Sequence, residues 1–171
     1  LTVTDVAART SACTATVTVV DSLKPTAVCS PATVYLAGNG QLLLNPAVVG
    51  GGSTDNCAIT LATVSPASFV CADTGAHVVT YTAQDASGNQ RSCTTTVVVA
   101  DSTRPNAICR TATIFLDGGG NASTTVAAVN NGSSDNCGIA AIGLSRSNFT
   151  CADVPGVFVT LSMQDISGNV S

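Results

Sequence analysis

The sequence predicts an all-β protein built from tandem immunoglobulin-sized β-sandwich repeats of about 80 residues each, a period suited to a small domain. Three observations point there. First, sliding the 171-residue chain by 80 positions aligns it without a gap. Cys13, Cys29, Cys57 and Cys71 fall on Cys93, Cys109, Cys137 and Cys151, and residues 21–91 match 101–171 at 30 of 71 positions. Second, apolar and polar residues alternate at period two in short runs, and turn residues recur about every ten positions. Third, there are eight cysteines, four per period. Domains of about 80 residues bury a modest core and tend to need such staples.

Leu1 to Val20 reads as the end of an upstream repeat, with Cys13, Ala15, Val17 and Val19 on one face of a strand and Thr14, Thr16 and Thr18 on the other. The boundaries expected are 1–21 for those C-terminal strands, 22–101 for a complete repeat and 102–171 for a second repeat lacking its last strand. Asp21–Pro25 (DSLKP) and Asp101–Pro105 (DSTRP) are the junctions. They are short and lack glycine, and proline holds its predecessor extended, so an elongated, semi-rigid array is expected. Short strands follow, with Val34 and Leu36 (then Ile114 and Leu116) facing one way. Strands are expected near 41–49 and 58–65, separated by the turn-rich GGSTDNC loop. Phe69 and Cys71 lie on a short extended piece. The hairpin VTYTAQDASGNQRSCTTTVVVAD (79–101) closes the repeat, with Val79, Tyr81 and Ala83 facing in, as Val159, Leu161 and Met163 do in the next copy. Its DASGN turn suits an Asp that bonds its own backbone and a Gly that accepts positive φ. No stretch shows a helical period.

Charge is scarce: 9% of residues are charged, the net charge is −4 and Lys24 is the only lysine. An acidic chain without basic clusters argues against nucleic acid and anionic membranes as partners. No apolar run is long enough to span a bilayer as a helix. The cysteines lack the close CxxC pairs of zinc sites and favour disulfides in an oxidising compartment. Four cysteines per period allow three pairings. If the chain enters a repeat at one pole and leaves at the other, its first and last strands run in the same direction. Cys29 and Cys93 then share the N-terminal pole, and Cys57 is left to Cys71, as Cys137 is to Cys151. Cys13 and Cys109 would find partners in neighbouring repeats. The competing arrangement is Cys13–Cys29 with Cys93–Cys109, which requires successive repeats to fold back on each other.

Several motifs carry a resemblance. Asp21, Pro25 and Cys29, then Thr54-Asp55-Asn56, then VTYTAQDASGN (79–89), then Cys93 before TTTVVVAD resemble the HYR (hyalin repeat) family of immunoglobulin-like domains. The additional Cys57 and Cys71 look like the cysteine-rich version found in large Bacteroidota surface proteins, including gliding-motility adhesins of the SprB type and other cargo of type IX secretion. The resemblance implies an immunoglobulin-like sandwich, an extracellular or cell-surface location and a role in adhesion or filaments, with neighbouring identical repeats as partners. Ser22 and Ser102, in the repeated Asp-Ser pairs, look like Bacteroidota O-glycosylation sites, the competing reading being a plain Asp-Ser turn. Asn-x-Ser/Thr sequons at Asn121, Asn131, Asn148 and Asn169 have no counterparts one period earlier.

The function expected is that of stalk or filament repeats transmitting tension to a distal binding tip. A carbohydrate- or protein-binding module is the alternative, although there is no Trp and the two tyrosines, Tyr35 and Tyr81, alternate like sheet residues. A second alternative is a filament subunit in which Leu1–Asp21 of one chain completes the last repeat of another, with Cys13 facing Cys109. No enzyme is expected: the single histidine, His77, reads as a strand-edge residue, and no catalytic, cofactor or metal residue is assigned. Calcium at the Asp85 turn is the one cofactor considered. It is weakened by the first copy, where Asp5 is followed by VAAR rather than Ser-Gly-Asn.

Overall fold

A computed structural model describes all residues, Leu1–Ser171. The chain is mostly β. Two short strands, β1 (Thr2–Thr4) and β2 (Thr10–Ala12), pair as an exposed hairpin. The first repeat holds β3 (Ala32–Tyr35), β4 (Gln41–Leu43), a single helical turn α1 (Pro46–Gly50), β5 (Ile59–Ser65), β6 (Ser68–Val70), β7 (Gly75–Asp85) and β8 (Gln90–Ala100). One sheet runs β3-β8-β7-β5, and β4 pairs with β6 in a second, smaller sheet. The long β7–β8 hairpin registers Val79 with Thr95 and Tyr81 with Cys93. β3 joins β8 in parallel, from Ala32 opposite Val97 to Tyr35 opposite Ala100. The chain therefore leaves the repeat in the direction in which it entered.

Alternation builds the core. Val79, Tyr81 and Ala83 of β7 and Val97 and Val99 of β8 point inward from one sheet, and Phe69 of β6 and Leu44, just after β4, meet them, with Val34, Leu36, Val49 and Val64 completing the cluster. At the area-based value for apolar burial, each buried Val, Leu or Phe side chain of the cluster contributes about 1.5–3 kcal/mol. Gly50 has a specific reason: a Cβ there would lie 2.1 Å from Tyr81 Cε2. The second repeat has Asn130 and Leu161 at these two phases, so the smaller side chain makes room for the larger neighbour.

Three expectations are corrected. The strand expected near 41–49 stops at Leu43, and Pro46–Gly50 is helical. Asn45 caps the turn, its Oδ1 accepting the Ala47 N–H at 3.0 Å, and Pro46 sits at the first position, where its missing N–H costs nothing. Second, residues 13–20 form no strand, and Val17 and Val19 are 81% and 90% exposed. Their alternation is that of β8, but the β1–β2 hairpin brings no second sheet for that face to cover. Third, residues 112–116 form no strand, unlike β3. β3 exists through its parallel ladder to β8, and residues 102–171 contain no counterpart of most of β8. The second repeat retains β9 (Asn121–Ser123), α2 (Val126–Val129), β10 (Ile139–Leu144), β11 (Asn148–Thr150) and β12 (Leu161–Asp165), paired β9–β11 and β10–β12. Val129, Phe149, Leu161 and Met163 are its buried hydrophobic residues.

Candidate functional site at the junction between repeats

The junctions are built from three loops that each repeat carries in the same phase. After Asp21, Thr26 bridges to Thr54, and the Val28 N–H donates to Ser53 Oγ at 3.0 Å, which fastens the linker to the GGSTDNC loop. After Asp101, Asn106 bridges to Ser134 and the Ile108 N–H donates to Ser133 Oγ at 2.8 Å. The SGN turn of the hairpin closes the set. Asn89 Nδ2 donates to the Asp21 carbonyl at 3.1 Å and Asn169 Nδ2 to the Asp101 carbonyl at 3.2 Å.

This construction gathers three aspartates at each junction. Asp21, Asp55 and Asp85 form one set and Asp101, Asp135 and Asp165 the other, each with carboxylate oxygens within 4.8 Å of one another. Asp85, Asp101 and Asp165 are only 2%, 8% and 1% exposed. The two ion pairs of the chain, Arg9–Asp5 and Arg146–Asp153, lie elsewhere, so no basic side chain neutralises either set. The Leu23 N–H, the Cys57 thiol and Asn56 hold the Asp21 carboxyl below its ordinary value, against a smaller opposing effect of desolvation. The Asp21 carboxylate foremost, then desolvation and the charges of Asp55 and Asp85, push the Cys57 thiol up. These oxygens are the groups of this chain suited to a hard cation.

Disulfides define the rest of the site. Cys29 and Cys93 are bridged, tying the start of the first repeat to its last strand. The expected Cys57–Cys71 bridge is corrected: Cys71 is bonded to Cys137 of the second repeat, with Cα atoms 5.3 Å apart. Cys57 and Cys151, and with them Cys13 and Cys109, are free and exposed. Cys137–Cys151 is corrected likewise. The physical reason lies in the poles. Cys57 follows the loop at the N-terminal junction, where its thiol lies near the Asp21 carboxylate, whereas Cys71 follows β6 beside the 37–40 turn at the other pole. A bridge from Cys71 therefore reaches the next repeat's copy of Cys57, not Cys57 itself. Asn136 Nδ2 donates to the Ala37 carbonyl at 3.4 Å across the same boundary. Gly40, at φ +73°, has the Asn136 carbonyl oxygen 2.8 Å and Cys71 Sγ 2.7 Å from where a Cβ would sit, so only glycine lets the repeats approach this closely.

The other sequence candidates have ordinary structural settings. Ser22 and Ser102 are exposed, each following an Asp whose Oδ1 accepts the N–H two positions on, at 3.0 Å in both copies. His77 is held in its strand, Nε2 lying 2.6 Å from the Asp73 carbonyl oxygen and the ring against Phe69. The Asp85 turn closes on itself, Asp85 accepting the Asn89 N–H at 2.8 Å and Nδ2 at 2.7 Å. Asp5, its counterpart, instead pairs with Arg9 and lies in no carboxylate cluster. Sequence reasoning weighed the Asp85 turn alone and missed the triads. The available signal was that all three aspartate phases recur one period later.

Residues 20–99 match the family model of the HYR domain, which supports assigning the first repeat to that family. No curated protein and no solved structure matches the chain.

Proposed function

We propose that these repeats are structural segments of an extracellular surface array, a stalk or filament that carries tension between an anchor and a distal tip. The observation that carries this reading is the Cys71–Cys137 bridge, which joins one repeat covalently to the next. Cys57 has the phase of Cys137, and Cys151 that of Cys71. In the array, each pairs with the corresponding cysteine of a neighbouring repeat, two thiols losing two protons and two electrons to a disulfide-donating oxidant of the oxidising compartment. Force then crosses a repeat along the short step from a Cys57-type to a Cys71-type position and passes directly to the next. The parallel β3–β8 pair, tied by Cys29–Cys93, keeps the sandwich in shear. Exposed Ser22 and Ser102 leave room for attached glycans at every junction. The role is non-catalytic.

A strand-exchanged filament is the second reading, favoured by a specific observation. The second repeat has an open groove of about 620 Å³ lined by Ile114, Leu116, Phe149, Phe158, Val159 and Leu161. In the first repeat β8 contributes Val97 and Val99 to the equivalent core, and exposed Val17 and Val19 have the same phase as these two residues. A non-reducing peptide map of native polymer tests both. Cys57-type peptides joined to Cys71-type peptides of another repeat are expected, and a Cys57–Cys71 peptide from one repeat would overturn the covalent array. Intact-mass analysis after reduction separates the two readings, since pieces the size of a short chain would require strand exchange.

A further inference from the structure

We propose that each junction triad, Asp21–Asp55–Asp85 and Asp101–Asp135–Asp165, is a binding site for a hard divalent cation of the calcium type. Three carboxylates converge within 4.8 Å at each junction, with no basic partner among the ion pairs of the chain. Protein donors satisfy only part of each set. Asp101 Oδ1 accepts from the Thr103 N–H at 3.0 Å and from Asn136 Nδ2 at 3.2 Å; Asp135 Oδ2 accepts from the Cys137 and Gly138 N–H groups at 2.8 and 3.1 Å. Asp101 Oδ2 is left buried with no hydrogen-bond partner on a residue only 8% exposed, and Asp135 Oδ1 and Asn136 Oδ1 are also buried and unpartnered. The first junction repeats the pattern, with Asp21 Oδ2 and Asp55 Oδ1 buried and unpartnered.

Buried carboxylate oxygens without donors are costly unless a cation or proton meets them. Their clustering at both junctions points to the cation. The donors decide its class. At the second junction the nearby sulfur of Cys137 is held in a disulfide, so the set common to both sites is oxygen only, which suits calcium or magnesium and not a thiophilic metal. Oxygens from three separate loops form an irregular cage, which the larger, geometrically tolerant calcium accepts better than magnesium. Asn136, next to Asp135, also contacts Ala37 of the preceding repeat, so an ion at the second site would stiffen the boundary that the Cys71–Cys137 bridge spans.

The test is calorimetric titration of chelator-stripped, disulfide-intact chain with Ca²⁺ and, separately, Mg²⁺. Two equivalents of Ca²⁺ per chain are expected, bound more tightly than Mg²⁺. Asp101→Asn with Asp135→Asn should remove one equivalent and Asp21→Asn with Asp55→Asn the other. The equivalent remaining in each double variant reports that the rest of the chain is still folded. Asp5→Asn, outside both triads, should retain two. Absence of Ca²⁺ uptake by the unsubstituted chain, uptake unchanged in both double variants, or uptake abolished by alkylating the free thiols would overturn the proposal.

Discussion

Removing the Cys71–Cys137 bridge should lengthen the chain under tension by a set amount. The perturbation is Cys71→Ser with Cys137→Ser, in a chain where Cys13 and Cys109 are also Ser, so that maleimide-linked handles attach only at Cys57 and Cys151. With the bridge intact, force runs forward from Cys57 to Cys71, across the bridge, and forward again from Cys137 to Cys151. Without it, the shortest covalent path runs back from Cys57 to Cys29, across Cys29–Cys93, and on from Cys93 to Cys151. The second path is longer by about 58 residues, or about 200 Å at about 3.3–3.6 Å per extended residue. Single-molecule stretching should show the variant's fully unfolded contour longer by that amount. Reducing agent should lengthen the intact chain by slightly more, because Cys29–Cys93 opens too. In equilibrium unfolding, loss of a cross-link with a sequence separation of 66 should cost about 4 kcal/mol on the chain-entropy account. Equal contour lengths with and without the two cysteines would refute the covalent path, and with it the proposed route of force between repeats.

Gly50→Ala should destabilise the first repeat by about 1–3 kcal/mol through overpacking against Tyr81, and adding Tyr81→Leu should recover much of the loss in a double-mutant cycle read by denaturant unfolding. Ala58 sits at φ +112°, where the second repeat has Gly138 at φ +103°. Ala58→Gly should therefore relieve strain and raise stability by about 1 kcal/mol, after allowing for the freer unfolded glycine. The Arg146 guanidinium, more than the Thr150 N–H, holds the Asp153 carboxyl below its ordinary 3.8. A depressed carboxyl adds stability above its unfolded value and loses it as pH falls through the lower folded value. The advantage in Tm over Arg146→Gln should therefore be full near pH 6 and shrink as pH drops below 3.8, leaving the part due to Arg146 stacking on Phe149. A constant difference from pH 6 to pH 2 would show that the ion pair contributes nothing.

Much of the fold is legible in the residues because it is local. Alternation in 79–83 and 95–99 determines which side chains enter the core, and Gly88, at φ +88°, closes the DASGN turn as expected. Period two fails where pairing is the deciding factor. Residues 13–19 alternate as well as β8 does, yet form no strand, because a ladder needs a neighbour and the alternation does not supply one. The helical turn at Pro46 was likewise hidden, since a single turn is too short to display a 3.6 period, although Asn45-Pro46 is a legible cap.

Covalent order alone set the repeat period, the β character, the inward faces of the β7–β8 hairpin and the phase of every cysteine and aspartate. All of these follow from the order of residues and from the side-chain period of a strand. Which phases meet was settled by the folded chain. Cys57 and Cys71 are near one another in the chain but belong to opposite ends of a sandwich, so Cys71 bonds a cysteine in the next repeat. Asp101, Asp135 and Asp165 span most of that repeat in sequence, yet converge within 4.8 Å because three loops share one pole. Sequence separation measures distance along the chain, whereas a sandwich folds the chain back on itself every few residues. Proximity at its poles is thus set by the order of strands in the sheets, not by spacing.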